Sequence, residues 1–384
     1  MGSKATDIPG RIYNRSMAGF DVVIIGGGII GCSLARVLAG AGAKVAVAER
    51  GAPGEEASAA AAGMLSPSSE AEKGSPLFEL CRASAKLYGP LAAELQADTG
   101  IDPQYRTEGT LLLFESEPER EQMLPSMEWQ RSRGVPVEEL SGQALREKEP
   151  ALAALPGAFY LPDDRQIDNR LLMQALVKSC QQRGVTFLTG KSVQGIERNG
   201  QGVTGVVLAN EKMAAEKVVN AAGAWAGAIQ APGLAAAPIR PVKGHMAVLQ
   251  CPQPPLRHVV RSHRGYLVPR RDGRVLVGST MEDAGFDKSV RAAPLTRLLS
   301  AAQELCPALQ QSVLADCWAG LRPAAPDNLP LLGPASLPGY WLALGHFRNG
   351  ILLAPITAEI LSSLILTGKS PLPVEALLPQ RLGE

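Results

Sequence analysis

The segment Asp21-Val-Val-Ile-Ile-Gly26-Gly-Gly28-Ile-Ile-Gly31 decides the fold of this chain. Its start, rich in Val and Ile, predicts a buried parallel strand. The three numbered glycines predict a tight turn, a close approach of the backbone to a pyrophosphate, and a helix packed on the sheet. The unpaired N–H groups and the positive dipole end of that helix favour phosphate.

A second strand, Lys44-Val-Ala-Val-Ala-Glu49, follows the helix and ends in an acidic residue 18 positions after Gly31. Glu49 is placed to accept hydrogen bonds from ribose hydroxyls. A GxGxxG pattern alone is also compatible with an ordinary glycine-rich turn between strand and helix. Because strand, turn, small-residue helix, second strand and acidic residue occur in order, we interpret the region as a dinucleotide site.

The length and composition of the chain exclude several classes of protein. A chain of 384 residues exceeds the usual size of one domain, which predicts one large domain or two closely built ones. The net charge of +1 provides no basic face for a nucleic-acid partner. No run of about 18 apolar residues free of charge occurs, so we predict no membrane-spanning helix.

The cysteines and histidines indicate neither a disulfide framework nor a metal site. The six cysteines are scattered without a CxxC pair, which is typical of reduced thiols and predicts a cytoplasmic location. The four histidines show no ligand spacing, so we predict no metal. Residues 1–16 lack the apolar core of a secretory signal, and we interpret them as an expression-derived tail before a natural start at Met17.

Hydrophobic periodicity predicts the remaining elements, and no internal repeat is evident. The predicted helices cover residues 29–38, 78–97, 117–133, 167–183, 295–305 and 353–366. The predicted strands cover residues 109–114, 184–188, 192–197, 203–208, 217–222 and 341–345, and short strands dominate 238–276. The alanine-rich stretch from Glu55 to Leu65 is compatible with a low-complexity helix or with tight packing against a flat cofactor.

Three features favour FAD over NAD as the dinucleotide. The alanine-rich stretch after Glu49 would suit an isoalloxazine ring, and the strand at 218–222 ends in a small-residue backbone that can pass close to a nucleotide. Near the C-terminus, Gly345-His-Phe-Arg-Asn-Gly350 opens a helix. Its N–H groups and dipole end would stabilise the electron-rich N1/O2 edge of a flavin. We therefore predict FAD.

With these motifs, the chain resembles the D-amino-acid-oxidase type of FAD-dependent oxidoreductase, and most closely the bacterial glycine oxidases of thiamine biosynthesis. The resemblance spans nearly the whole chain from Met17 onward. The matching stretches are Val-Ile-Ile-Gly26-Gly-Gly-Ile-Ile-Gly31, Ala59-Ala-Ala-Ala-Gly63-Met64-Leu65, Val242-Lys243-Gly244, Gly265-Tyr266-Leu-Val-Pro-Arg270, Val277-Gly278-Ser-Thr-Met281, Trp318-Ala-Gly-Leu-Arg322-Pro323 and Gly345-His-Phe-Arg-Asn-Gly-Ile-Leu-Leu-Ala-Pro355.

The expected fold class is α/β. A Rossmann-like parallel-sheet domain of the glutathione-reductase type would bind FAD, interleaved with a β-rich α+β substrate domain. We assign 17–100, 161–237 and 318–372 to the FAD domain, 101–160 and 238–317 to the substrate domain, and 1–16 to the tail.

The resemblance implies four substrate contacts. Arg322 would hold the substrate carboxylate with a bidentate fork, and Tyr266 would donate its hydroxyl to the same group. Arg348 would lie near substrate and flavin, and Met281 would line a small pocket. The alternatives are a turn arginine, a strand aromatic, a helix cap and a core methionine, respectively. No catalytic acid or base is required, because flavin N5 carries the chemistry.

The resemblance also implies the contacts to FAD. They are Gly26, Gly28, Ile29, Ile30, Gly31, Glu49, Arg50, Ala57, Ser58, Ala62, Gly63, Met64, Val193, Ala222, Gly223, His346, Phe347, Arg348, Asn349, Gly350, Ile351 and Leu352. Among them, Val193 would meet the adenine, and Glu49 with Arg50 would hold the ribose region. Members with covalent flavin carry a cysteine near the C-terminal motif, which this chain lacks, so non-covalent FAD is expected.

The implied reaction is oxidative deamination of glycine, other small amines or D-amino acids. Glycine, O2 and water would give glyoxylate, ammonia and H2O2, with hydride passing from the α carbon to flavin N5. The glycine imine would also be available for thiamine thiazole synthesis. The implied partners are a small amino acid, O2 and further copies of the chain in a homotetramer.

Three alternatives remain open at this stage. A dehydrogenase of the same fold would pass electrons to a quinone or another carrier instead of O2. An oxidase of the same fold would prefer sarcosine or D-proline. A flavin-binding protein without turnover belongs to a different class, and a carboxylate clamp at Arg322 and Tyr266 argues against it.

Overall fold

The computed structural model describes residues 19–70, 73–209 and 211–383, so the predicted tail at 1–16 and the start at Met17 lie outside the described residues. The described residues form these strands: β1 (Phe20–Ile25), β2 (Val45–Glu49), β3 (Met64–Leu65), β4 (Thr110–Phe114), β5 (Glu138–Ser141), β6 (Gly157–Leu161), β7 (Arg165–Gln166), β8 (Thr186–Thr189), β9 (Val193–Asn199), β10 (Gly202–Leu208), β11 (Lys212–Asn220), β12 (Arg240–Gln250), β13 (Val259–Ser262), β14 (Gly265–Pro269), β15 (Arg274–Gly278), β16 (Val313–Ala324), β17 (Leu331–Pro334) and β18 (Tyr340–Leu344). The α-helices are α1 (Ile29–Gly40), α2 (Ala57–Ala60), α3 (Leu77–Thr99), α4 (Glu117–Ser132), α5 (Gly142–Lys148), α6 (Asn169–Gln182), α7 (Ala292–Leu305) and α8 (Gly350–Thr367).

The first sheet has the strand order β17-β18-β11-β1-β2-β8, and the β9–β10 hairpin joins it along the first half of β11. Strands β18, β11, β1, β2 and β8 run parallel to one another, whereas β17 pairs antiparallel with β18 and β10 antiparallel with β11. Both faces of β1 are buried: Val22 and Ile24 pack on one side, and Val23 and Ile25 on the other. This explains why β1 is a continuous apolar run rather than an alternating one.

Helices α1, α3, α6 and α8 cover one face of the first sheet, and the β9–β10 hairpin covers the other. The stretch Phe347–Thr367 is long and apolar enough to cross a membrane by length and composition, yet 61% of its most apolar window is buried inside the protein. That burial is typical of a core helix. It arises because α8 packs against α1 and α3.

The second sheet has the strand order β16-β12-β15-β14-β13-β4-β6-β5. Helix α7 packs on its outer face. The prediction that short strands dominate 238–276 is wrong for β12, which has 11 residues. Strand β12 is long because it pairs antiparallel with β16 from Arg240 to Gln250.

The prediction of an α/β fold, with a Rossmann-like parallel sheet and a second sheet, is confirmed. The predicted boundary between residues 317 and 318 falls inside β16, so its position is wrong. Residues 318–324 continue to pair with β12 in the second sheet. If the chain left the second sheet at residue 318, the first half of β12 would lose the backbone hydrogen bonds that it makes to β16.

Candidate active site

The carboxyl ends of β1, β2, β11 and β18 lie at one edge of the first sheet, because these strands are parallel. From β1 the chain proceeds through α1 to β2 on one side, whereas β11 and β18 lie on the other. The crevice at such a change of direction is where open α/β sheets bind nucleotides. A cavity of about 630 Å³ begins here and extends to the second sheet.

Two glycines of the first turn cannot carry a side chain. Gly26 has φ +107°, and a Cβ there would lie 2.4 Å from the Ala221 carbonyl oxygen. A Cβ on Gly31 would lie 2.0 Å from the Gly26 carbonyl oxygen. Gly28 is the N-cap of α1 and lines the cavity with Ile30. The Ile29 N–H is bonded to the Ser58 hydroxyl, so the N–H groups that follow it in the first turn are the ones available to a phosphate.

Glu49 is fixed by two backbone amides beside this turn. Its carboxylate accepts hydrogen bonds from the Gly27 N–H at 2.7 Å and from the Gly51 N–H at 2.9 Å. A carboxylate has about four acceptor positions, so capacity for ribose hydroxyls is left. The neighbouring Arg50 lies over the Trp225 ring, 3.6 Å from its centroid, and pairs with Glu56 at 2.6 Å.

The alanine-rich stretch forms one short turn of helix, α2, and then runs extended into β3. A low-complexity helix over the whole stretch is therefore wrong. The reason is packing: a Cβ on Gly320 of β16 would lie 2.5 Å from the Ala60 Cβ. The Trp318 indole N–H donates to the Ala60 carbonyl at 3.1 Å. The segment thus lies directly between the two sheets.

Ser58 and Gly63 hold this segment at the cavity wall. The Ser58 hydroxyl accepts from the Ile29 N–H at 2.9 Å, which ties it to the start of α1. Gly63 has φ +70°, and a Cβ there would lie 2.0 Å from the Ile167 carbonyl oxygen. The buried Arg270 donates to the Ala62 carbonyl at 2.7 Å. Burial lowers the pKa of Arg270 to about 10, so its guanidinium stays charged near neutral pH.

The opposite wall is the loop after β18 and the start of α8. Helix α8 begins at Gly350, three residues before the predicted start, so Gly350 and Ile351 lie in its first turn and line the cavity. In α3, the buried Tyr88 hydroxyl donates to the Ile351 carbonyl and fixes this end. His346 is buried, with Nε2 3.0 Å from the Thr357 hydroxyl, and burial lowers its pKa to about 3.

Arg322 and Tyr266 converge on β12 from opposite sides. The Arg322 guanidinium lies over Gly244, where a Cβ would be 2.3 Å from Nη1. The Tyr266 ring lies over Gly278, and its hydroxyl donates to Met246 Sδ at 3.2 Å. Gly244 and Met246 are two residues apart on the same face of β12, a distance of about 7 Å. The guanidinium and the hydroxyl thus lie over neighbouring positions of one face of β12.

A charged cluster that the sequence analysis did not predict lies in the same cavity. Glu70 Oε1 is 2.6 Å from Arg261 Nη1 and 3.0 Å from Arg348 Nη2. Burial alone would raise the pKa of the Glu70 carboxyl, but the two guanidinium groups hold that pKa below its ordinary value. Arg261 carries a sequence signal, since it follows Val259-Val260 on the apolar strand β13. Glu70 has none.

Most of the predicted site residues line this one cavity, and two do not. Gly31 packs against the Gly26 carbonyl, and Leu352 is buried in the helical core beside α3. Met281 also lines the cavity, and it is 61% exposed. Among the described residues, no group of three His, Cys, Asp or Glu side chains could hold a metal ion.

Comparison with known proteins agrees with this geometry. The profile of the family described as FAD dependent oxidoreductase matches residues 21–364. Glycine oxidase from Pseudomonas aeruginosa is 35% identical over 360 residues, which cover 91% of this chain and 96% of that protein. Bifunctional protein ThiO/ThiG from Nostoc sp. is 36% identical over 91% of this chain, and the match spans 53% of that longer protein. The crystal structure of glycine oxidase from Geobacillus kaustophilus has a TM-score of 0.90 at 34% identity, covering 94% of this chain and 98% of that one.

Proposed function

We propose that this chain, which belongs to the family of FAD-dependent oxidoreductases, oxidises glycine and other small amines or D-amino acids at the α carbon. Glycine, O2 and water would give glyoxylate, ammonia and H2O2. The observation that carries this proposal is the convergence of Arg322 and Tyr266 above Gly244 and Met246 on the second sheet, whereas Glu49 ends a strand of the first. FAD is the family's cofactor, which confirms that sequence-based prediction.

The residues present fit FAD. Gly26 and the N-terminus of α1 would hold the pyrophosphate, and Glu49 with Arg50 the ribose. Gly63 and the segment before it would contact one side of the flavin ring, and the first turn of α8 its N1/O2 edge. Bound FAD would supply the electron acceptor, taking a hydride at N5 and passing electrons to O2.

Positioning by the protein would supply much of the rate. Arg322 and Tyr266 would fix the substrate carboxylate and thereby the direction of its α carbon. The amine must be neutral for its lone pair to assist, and solvent can take the ammonium proton. His346 is poorly suited as the base, because its Nε2 is bonded to Thr357 and burial lowers its pKa to about 3, which makes the ring a weak proton acceptor.

The proposal extends to the pathway, the cellular location and the assembly of the enzyme. The similarity to a bifunctional ThiO/ThiG protein supports a role in which glycine imine supplies thiamine thiazole synthesis. The scattered thiols, all free in the described residues, support a cytoplasmic location. A homotetramer and a non-covalent FAD complete the proposal.

Anaerobic mixing of the yellow holoenzyme with glycine, sarcosine, D-alanine and D-proline tests the reaction. We expect bleaching of the flavin, followed by H2O2 release when O2 is admitted. Arg322→Ala should slow bleaching at least about 100-fold, because it removes a charge-assisted bidentate contact. Arg271→Ala, at a half-exposed surface arginine, should leave the rate unchanged.

Two outcomes would contradict the proposal. One is a flavin that none of the four amines bleaches. The other is an Arg322→Ala variant that glycine reduces as fast as it reduces the wild type. Bleaching without H2O2, in the presence of a dye acceptor that is reduced, would assign the chain to the dehydrogenases instead.

A further inference from the structure

His245 lies on β12 between Gly244 and Met246 but has no contact with the cavity. Its two neighbours face Arg322 and Tyr266, so the His245 side chain points to the other face of the sheet. The side chain is completely buried. His245 thus lies directly behind the proposed substrate site, and the proposed reaction gives it no role.

The strand opposite His245 contains an irregularity. Met246 pairs with Gly278, and Lys243 pairs with Glu282. Between these two pairs the chain advances by three residues on β12 and by four residues on the opposite segment. One extra residue is thus accommodated in the segment between Gly278 and Glu282, which is a β-bulge. At the bulge the His245 N–H has a side-chain partner, the Thr280 hydroxyl, at 3.0 Å.

The hydrogen bonds of the His245 ring determine which nitrogen carries the proton. Nε2 accepts from the Arg291 N–H at 3.1 Å, so Nε2 must have a free lone pair. Nδ1 therefore carries the proton. It lies 2.9 Å from the Thr280 hydroxyl oxygen and 3.1 Å from Glu282 Oε1, both of which can accept it. The neutral ring thus joins both ends of the segment from Thr280 to Arg291 to β12.

The bulge is also what holds Arg322 from behind. Arg322 Nη1 donates to the Thr280 carbonyl at 3.2 Å, and Nη2 donates to the Ser279 hydroxyl at 2.7 Å. Thr280 is consequently bound through its hydroxyl by His245 and through its carbonyl by Arg322. A displacement of Thr280 would turn the guanidinium away from Tyr266.

We propose that His245 is a positioning residue, which sets the direction of the Arg322 guanidinium through Thr280. This inference rests on the proposed function, because it assigns His245 to the carboxylate clamp of that same reaction. Misplacement of a clamp by a fraction of an ångström to one ångström is enough to weaken binding and slow a reaction markedly.

Two matched pairs of variants in the holoenzyme test the proposal. Thr280→Val removes the hydroxyl at nearly constant volume, and Thr280→Ser keeps it. His245→Asn keeps an N–H donor near the position of Nδ1, and His245→Gln keeps an acceptor near the position of Nε2. The measured quantity is the Kd of glycolate, which has the carboxylate of glycine and no amine, from the change in flavin absorbance.

We expect Thr280→Val and His245→Gln to weaken glycolate binding about tenfold, equivalent to about 1.4 kcal/mol. Thr280→Ser and His245→Asn should stay within about threefold of the wild type. FAD content and Tm should be similar within each pair, which separates positioning from loss of the fold. With glycine, the weakened variants should show a raised KM and a lowered kcat.

Equal glycolate affinity of Thr280→Val and the wild type would overturn the proposal, and so would equal weakening by His245→Asn and His245→Gln. The proposed function fails separately. If glycolate binding responds to Thr280 as expected while no amine bleaches the wild-type flavin, the positioning role is supported and the oxidation is refuted.

Discussion

The buried His346 makes the stability of the folded protein depend on pH. Burial lowers its pKa to about 3 in the folded protein, from 6.5 ordinarily. Between these values the unfolded chain binds more protons than the folded one. The free energy of unfolding therefore decreases as the pH falls from 6.5 toward 3, by at most about 1.4 kcal/mol per pH unit from this residue.

Urea unfolding of the holoenzyme between pH 6.5 and 5.0, at constant excess FAD, measures this contribution. His346→Gln keeps a polar partner for Thr357 but does not titrate, so its pH dependence should be shallower than that of the wild type. His263→Gln is the control, since the His263 side chain is 60% exposed. If His346→Gln and the wild type lose stability equally over this range, the buried neutral histidine is not the cause.

Individual residues differed in how far they could be predicted. Gly26 and Gly31 follow from a local sequence pattern, and the close contact of Gly31 is with the nearby Gly26 carbonyl, although that of Gly26 is with the distant Ala221 carbonyl. Arg322 was predicted from resemblance alone. Glu70 was missed because its two partners come from β13 and from the loop before α8, and no local sequence feature brings these together.

At the scale of elements, the contact between α2 and β16 sets the spacing of the two sheets. A Cβ on Gly320 would lie 2.5 Å from the Ala60 Cβ, far inside van der Waals contact. Gly320→Ala should therefore displace the alanine-rich segment and lower the affinity for FAD at least about tenfold, since over-packing of this kind costs about 1–3 kcal/mol.

A second substitution makes this prediction specific. Ala60→Gly in the Gly320→Ala background removes the clashing methyl group, so FAD affinity should largely return. The quantity to measure is the Kd of FAD, from quenching of its fluorescence by the apoprotein. Gly89→Ala in α3, which does not line the cavity, is a control for an added methyl group, because a Cβ there would have its nearest contact at 3.8 Å. Failure of Ala60→Gly to restore binding would show that the effect has another origin.

The elements themselves were largely predictable from periodicity. The helices predicted over 78–97 and 117–133 correspond to α3 and α4 within two residues at each end. The alanine-rich stretch could not be assigned, because alanine is compatible with a helix and with close packing. What decides between these is Gly320 of β16, a residue about 260 positions away.

At the scale of the whole molecule, Glu70 connects the two sheets electrostatically. It pairs with Arg261 on the second sheet and with Arg348 beside the first. Glu70→Gln would leave two guanidinium groups close together without their carboxylate. We expect the free energy of unfolding of the holoenzyme to fall by about 3 kcal/mol, as when one partner of a buried ion pair is removed.

Glu79→Gln provides the comparison in urea unfolding. Glu79 is 65% exposed and pairs with Arg82 at 3.5 Å, so its loss should change stability by less than about 1 kcal/mol. The difference between the two variants should shrink as salt is added, because salt screens the repulsion between Arg261 and Arg348. Equal effects of the two substitutions would mean that the cluster does not connect the sheets.

The order in which the chain is synthesised gives α8 a particular importance. Gly350, at one wall of the cofactor cavity, lies 324 positions after Gly26 at the other. A nascent chain therefore exposes the apolar groove on α1 and α3 until α8 emerges from the ribosome, and it has no complete cavity before then. Capture of the cofactor therefore follows the synthesis of α8. A chain cut off before Tyr340 would leave that groove open to chaperones and to aggregation.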